Sequence, residues 1–177
     1  MKRSIRLSKF VSELELTSLY KGEKTSFTVD TSELNRPGLQ LSGFFEHFPY
    51  ERMQLFGNGE MTYLSTLPSE VAQERLERML AYDIPAIIIS RNLQPSEDFI
   101  RLANEHDIPL LLSDKPTSKI SHDVILFLDN ELAPSIARHG GLMDIYGVGV
   151  FITGESGVGK SEAALELVKR GHRLVAD

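Results

Sequence analysis

Residues 86–113 read AIIISRNLQPSEDFIRLANEHDIPLLLS, and this stretch decides the fold class of the first part of the chain. It begins and ends with apolar runs, at 86–90 and 109–113, and residues 96–105 between them have helical character. Strands that are apolar without interruption are covered on both faces, and two of them joined by a helix are typical of a parallel βαβ unit. The stretch therefore predicts an α/β fold.

The flanking sequence extends this unit into a domain. Apolar residues at helical spacing predict helices over 5–16, 68–81 and 117–132, and strand-like runs occupy 25–29 and 53–56. Pro134 then marks a boundary, because the residue before a proline is disfavoured in helical geometry. We predict a small N-terminal α/β domain over 1–132 and a second domain that starts at 133 and includes the rest, 133–177.

Composition excludes several classes of protein. The chain has 177 residues, of which 41% are hydrophobic, so it can bury a core, and no apolar run approaches the roughly 20 residues of a membrane span. A formal net charge of −6 argues against a nucleic-acid-binding protein. The absence of cysteine is compatible with a reducing compartment, and the basic residues after Met1 are not followed by the apolar segment typical of a secretory signal. We expect a cytoplasmic protein without nucleic-acid or membrane partners.

One motif carries chemistry. Residues 154–161, GESGVGKS, satisfy the phosphate-loop pattern G-x-x-x-x-G-K-[ST] at every fixed position. The required context is a buried strand before the loop, predicted at 150–153, and a helix after it, predicted at 162–170. Upstream, we predict a strand over 135–146 and a turn or bulge at 147–149. The dinucleotide-binding pattern G-x-G-x-x-G does not fit from Gly147, because Ile152 occupies the position of its last glycine. The esterase pattern G-x-S-x-G does not fit from Gly154, because Val158 occupies the position of its last glycine.

Each part of the motif has a physical role. Gly154, Gly157 and Gly159 permit backbone angles that let successive N–H groups converge on a polyphosphate, which the helix N-terminus also attracts. Lys160 would neutralise the β- and γ-phosphate oxygens, and the Ser161 hydroxyl would bind Mg²⁺. The rest of the predicted cradle is Glu155, Ser156 and Val158.

Two residues outside the loop are weaker candidates. A strand over 173–177 would run parallel to the strand before the loop, and Asp177 would then end at the ligand-binding edge. There it would coordinate Mg²⁺ or accept a proton, unless it is only a solvated carboxylate. His139 is, by itself, an ordinary exposed strand histidine. The remaining histidines lack metal-site spacing, so we expect no zinc site.

The chain resembles a known family over nearly its whole length. Residues 138–150, RHGGLMDIYGVGV, followed by the loop, Glu162 and the stretch 171–177, GHRLVAD, are similar to bacterial HPr kinase/phosphorylase. Three upstream segments, RPGL at 36–39, PYER at 49–52 and DIPL at 107–110, are also similar to that family. Together these segments are far more specific than a phosphate loop alone.

The resemblance implies a bifunctional protein serine kinase and phosphorylase. Such an enzyme uses ATP and Mg²⁺ to phosphorylate a serine of HPr, the phosphocarrier of the sugar phosphotransferase system. It removes the group with inorganic phosphate, which yields pyrophosphate, and its known members are hexamers that act in carbon catabolite control. By carry-over, residues 154–161 bind nucleotide or pyrophosphate, Ser161 binds the metal, and His139, Lys160 and Asp177 are active-site residues, with Asp177 exchanging the serine proton.

The sequence departs from the family after Asp177, where relatives continue with further carboxylates and a region that engages HPr. We therefore expect the 177-residue chain to hold only the beginning of a phosphate-loop kinase domain and to be inactive by itself. We also expect its small sheet to leave apolar faces uncovered. Two alternatives stay open, namely a phosphate-loop ATPase or small-molecule kinase, and a non-catalytic binding or oligomerisation module.

Overall fold

The computed structural model describes residues 2–134 and 139–176. Backbone proximity divides the chain into two units, Met1–Ala133 and Pro134–Asp177. Among the described residues, no helix has both the length and the apolar character needed to cross a membrane.

The first unit is an α/β structure of seven strands and six helices within its described part. Its strands are β1 (Arg3–Arg6), β2 (Thr17–Ser18), β3 (Ser26–Val29), β4 (Leu34–Asn35), β5 (Met53–Phe56), β6 (Ile87–Ile89) and β7 (Leu110–Leu112). Its helices are α1 (Leu7–Glu13), α2 (Gly38–Leu41), α3 (Asn58–Thr66), α4 (Ser69–Leu80), α5 (Glu97–Glu105) and α6 (Thr117–Leu132). The strands β4, β5, β6 and β7 are parallel neighbours, and β2 adds to β7 in the antiparallel sense.

The stretch 86–113 forms the predicted unit. β6 and β7 pair in parallel, with Ile88 opposite Leu111, and α5 connects them. The apolar runs are covered on both faces: Ile88 packs in a core with β1, β3, α1 and α6, whereas Ile87 and Ile89 pack in a second core with α4 and α5. This explains why hydrophobicity is continuous along both strands, and it confirms the predicted α/β class and parallel βαβ unit.

The prediction of a helix over 5–16 is wrong in its first part. Residues Arg3–Arg6 form β1, which pairs with β3 so that Ile5 lies opposite Phe27, and the helix α1 begins only at Leu7. A pairing partner more than twenty residues along the chain outweighs a local helical spacing that is equally compatible with a short strand. The helices predicted over 68–81 and 117–132 are confirmed as α4 and α6.

The second unit contains β8 (Gly141–Ile145), β9 (Val148–Ile152), α7 (Lys160–Lys169) and β10 (Arg173–Ala176). Its sheet has the order β10-β8-β9, and both pairings are antiparallel. The strand predicted over 135–146 is observed from Gly141, and its residues 135–138 lie outside the described part of the chain. The predicted turn at 147–149 is instead at Tyr146 and Gly147, because Val148 and Gly149 already pair with Ile145 and Asp144.

The strand before the phosphate loop is exposed, where a buried strand was predicted. In β9 the residues Val148 to Phe151 are all exposed, and large apolar side chains of α7 and β10 are exposed as well. The physical reason is the size of the sheet, since three strands and one helix cannot cover both apolar faces.

Candidate functional site

The phosphate-loop sequence forms the expected strand, loop and helix. β9 ends at Ile152, and α7 begins at Lys160 with Gly159 as its N-cap at φ 91°. Gly157 has φ 86°, so both of these glycines occupy the left-handed region that side chains disfavour. Gly154 lies outside that region. A methyl group there would approach Val158 Cγ2 at 3.0 Å, so its role is close packing rather than an unusual backbone angle.

Lys160 directs its charge into the loop. Its Nζ donates hydrogen bonds to the carbonyl oxygens of Gly154, at 2.9 Å, and Glu155, at 2.6 Å. The first intrahelical bond of α7 runs from the Ala163 N–H to the Gly159 carbonyl, at 2.9 Å. Because the first N–H groups of a helix have no acceptor within it, the loop combines backbone donors with an ammonium group. This combination is suited to binding a polyanion.

A cavity of about 500 Å³ lies beside the start of α7. It is lined by residues that come from separate places in the second unit, including His139, Gly140, Phe151, Lys160, Ser161 and Ala176. The predicted site residues His139, Lys160 and Ser161 are therefore brought to one cavity. Gly154 to Gly159 do not line it, although they lead directly into Lys160.

The position of β10 agrees with its predicted direction. β10 is antiparallel to β8, which is antiparallel to β9, so β9 and β10 run the same way with β8 between them. Their carboxyl ends and the amino end of β8, where His139 lies, therefore share one edge of the sheet. Asp177 itself is outside the described residues, and Ala176, which precedes it, lines the cavity.

Several lining residues were not identified as site residues from sequence, among them Phe151 and Gly140. Phe151 was predicted only as part of a buried strand, yet it lines the cavity. Gly140 was quoted only within the stretch 138–150 that carries the family resemblance. The signal for Gly140 was its small size next to a candidate active-site residue, but sequence alone does not reveal which chain lies against it.

The donor set for a metal is small. Within residues 2–134 and 139–176, no group of three or more His, Asp or Glu side chains could hold a metal ion. The Ser161 hydroxyl in the cavity is a hard oxygen donor of the kind Mg²⁺ prefers. A single hydroxyl fits a metal that takes its other ligands from phosphate oxygens and water, which is the usual arrangement for Mg²⁺ at phosphate loops.

A separate polar cluster lies in the first unit, where β4 and β5 end. The buried Glu60 carboxylate accepts hydrogen bonds from the Arg36 guanidinium, at 2.6 Å, and from the Gly57 N–H, at 2.9 Å. Burial raises the pKa of Glu60, but these two donors outweigh it and hold the pKa below its ordinary value. The cluster satisfies the N-terminus of α3 through the protein's own groups.

Comparison with known proteins covers both units. The family model described as "HPr Serine kinase N terminus" matches residues 5–128, and the model "HPr Serine kinase C-terminal domain" matches residues 130–177. The chain is 51% identical to the HPr kinase/phosphorylase of Alkaliphilus metalliredigens over 175 residues, which is 99% of this chain and 57% of that protein.

Other curated relatives agree. The HPr kinase/phosphorylase of Caldanaerobacter subterraneus is 47% identical over 98% of this chain and 57% of its own length. That of Bacillus cereus is 45% identical over 98% of this chain and 56% of its own length. The chain thus spans less than two thirds of the length of these relatives.

Proposed function

The chain belongs to the HPr serine kinase family, and we propose that the protein is a bifunctional HPr kinase and phosphorylase. It transfers the γ-phosphoryl group of ATP to a serine of the phosphocarrier HPr, and it removes that group by phosphorolysis. The names of the curated relatives support this activity. They do not favour the other enzyme classes that a phosphate loop allows, or a purely non-catalytic module.

In the proposed site, residues 154–161 hold the polyphosphate of ATP or pyrophosphate. The backbone N–H groups of the loop and of the first turn of α7 bind phosphate oxygens, and Lys160 supplies a positive charge. The Lys160 ammonium already lies in the loop, where it donates to the carbonyl oxygens of Gly154 and Glu155.

Ser161 is the proposed protein ligand of Mg²⁺. When bound, the metal would neutralise charge on the phosphate oxygens and help to orient them. Ser161 and Lys160 are adjacent at the start of α7 and line one cavity, so the hydroxyl and the ammonium act on the same polyphosphate. The chain's own contribution is to fix both groups on a helix, which is more rigid than a loop.

Asp177 is proposed to move the proton. In the forward reaction the serine oxygen attacks the γ-phosphorus, the bond to ADP breaks, and Asp177 accepts the hydroxyl proton. In reverse, an oxygen of inorganic phosphate attacks the phosphoserine phosphorus. Asp177 then returns the proton to the departing serine oxygen, and pyrophosphate is released. His139 is proposed as the second side chain facing the reacting groups.

The family supports further proposals about the whole protein. We propose that it is cytoplasmic, that it assembles as a homohexamer, and that it takes part in carbon catabolite repression. HPr is its proposed macromolecular partner. These properties are carried over from the family resemblance, because the chain spans only 57% of the length of the relative from Alkaliphilus metalliredigens.

The shared cavity of His139, Lys160 and Ser161 is the observation that carries the proposal. The test is to incubate the whole protein with ATP, Mg²⁺ and purified HPr, and to detect serine phosphorylation by mass spectrometry. A second reaction with phosphoserine-HPr and inorganic phosphate should release pyrophosphate. Lys160→Ala should abolish both reactions, whereas Lys169→Ala, at the other end of α7, should not. An active Lys160→Ala protein, or a wild type unable to modify HPr, would refute the proposal.

A further inference from the structure

The segment His139-Gly140-Gly141 lies against the end of the strand that leads into the phosphate loop. Gly141 pairs with Ile152, the last residue of β9, and only Thr153 separates Ile152 from the loop. The start of β8 is therefore held beside the entrance of the loop.

Gly140 makes this contact possible. A methyl group at Gly140 would overlap the carbonyl oxygen of Ile152 and would lie 3.0 Å from Cζ and 3.2 Å from Cε2 of the Phe151 ring. The carbonyl belongs to the main chain of a paired strand, so it cannot rotate away as a flexible side chain would. Gly140 is not in the left-handed region, so alanine would meet a steric obstacle there and no intrinsic backbone strain.

We propose that Gly140 is a positioning residue for His139. Only glycine lets the chain approach β9 closely enough for His139 to face the cavity that Lys160 and Ser161 line. A side chain at 140 would push the start of β8 away from β9 and carry the imidazole out of the site. This inference rests on the proposed function, because it takes His139 to be part of the phosphate-binding site.

The same sheet contains a matched control. Gly149 lies in β9 opposite Asp144, its φ is outside the left-handed region, and a methyl group there would have no atom within 4 Å. Gly149→Ala therefore makes the same chemical change as Gly140→Ala, within the sheet that Gly140 precedes, and without the steric obstacle.

The test measures how inorganic pyrophosphate binds to the 177-residue chain and how the His139 ring responds to it. Calorimetry gives its affinity, and NMR follows the ring signals of His139, which the His139→Gln variant identifies by their loss. In the wild type and in Gly149→Ala, we expect pyrophosphate to shift the His139 signals. In Gly140→Ala, we expect affinity within about threefold of wild type, since 154–161 are unchanged, but a His139 shift reduced by at least about half.

The outcomes separate two kinds of failure. If the wild type does not bind pyrophosphate, the proposed function of the loop fails. If it binds but the His139 signals do not move, or if Gly140→Ala keeps the full His139 shift, the positioning role is refuted and the phosphate loop is not. The positioning role is also refuted if Gly140→Ala weakens pyrophosphate binding tenfold or more, or if the NMR amide signals of α7 disappear in this variant. Either result would mean that Gly140 supports the fold as a whole.

Discussion

At the scale of single residues, Lys160 is the group on which anion binding depends most. Its ammonium is the only cationic group of the described residues that bonds the loop carbonyls of Gly154 and Glu155. Hydrogen bonds to charged groups contribute roughly 1.5–3 kcal/mol each. If this ammonium is lost, the loop loses an electrostatic attraction for phosphate. The neutral backbone donors cannot replace this attraction.

We therefore predict that Lys160→Ala weakens pyrophosphate binding to the 177-residue chain roughly 10- to 100-fold, as measured by calorimetry. Lys169→Ala removes the same charge from the last turn of the same helix and should change the affinity less than about twofold. If both variants lose affinity equally, the effect is general electrostatics and the specific role of Lys160 is wrong.

Glu60 leads to a prediction about pH. Its pKa is held below the ordinary value of 4.5 because the donors Arg36 and Gly57 outweigh the effect of burial. A carboxyl group whose pKa is lower in the folded state stabilises that state above its unfolded pKa. This contribution is lost as the pH falls through the lower, folded-state pKa.

Glu60→Gln should therefore lower the free energy of unfolding at pH 7 by about 1–3 kcal/mol, in urea unfolding followed by circular dichroism. When the pH is lowered below 5, the free energy of unfolding of the variant should also fall less than that of the wild type. Glu74→Gln, which neutralises an exposed side chain on α4, serves as the control and should change stability by less than about 1 kcal/mol. Equal acid sensitivity of wild type and Glu60→Gln would contradict the assignment.

At the scale of elements, α6 shows how a helix is fixed by one apolar face. Leu128 is 0% exposed in the core shared with β1 and β3, whereas Leu126 on the same helix is 49% exposed. Removing a buried leucine side chain loses its transfer free energy and leaves a cavity. Removing a half-exposed one does neither to the same extent.

Leu128→Ala should thus cost about 2–5 kcal/mol of unfolding free energy, and Leu126→Ala less than about 1 kcal/mol. The two variants make an identical chemical change two positions apart, so helix propensity cancels between them. Urea unfolding of both, followed by circular dichroism, provides the measurement. Similar losses in the two variants would show that α6 does not pack as described.

The elements that sequence predicted well are those with a long apolar pattern. α6 is sixteen residues long, its apolar residues recur at helical spacing, and its bounds match the prediction. The first part of the helix predicted over 5–16 was wrong because a four-residue strand has too little pattern of its own. The strand β3 was predicted, but its pairing with β1 was recognisable only in three dimensions. The phosphate loop was found because its chemistry fixes residue types at fixed spacing. Gly140 and Phe151 were missed because their role depends on a contact between two strands.

At the scale of the whole chain, the two units differ in how much apolar surface they bury. Of the buried apolar residues, Met143 is the only one in the described part of the second unit. In the first unit, β5, β6 and β7 consist entirely of buried residues. Local opening is easiest where few apolar contacts are lost. The sheet that carries the phosphate loop is therefore the less stable part of the chain.

We predict that amide hydrogens in β8, β9 and β10 exchange with solvent at least about 100-fold faster than those in β5, β6 and β7. Hydrogen exchange followed by mass spectrometry measures this difference. Pyrophosphate at about 100 times its dissociation constant should slow exchange in the second unit, by up to about 2.7 kcal/mol of added stability. Exchange in β5, β6 and β7 should not change, because the ligand contacts only the loop and its surroundings. Equal slowing in both units would mean that they open as one cooperative structure, and it would overturn the division of stability between them.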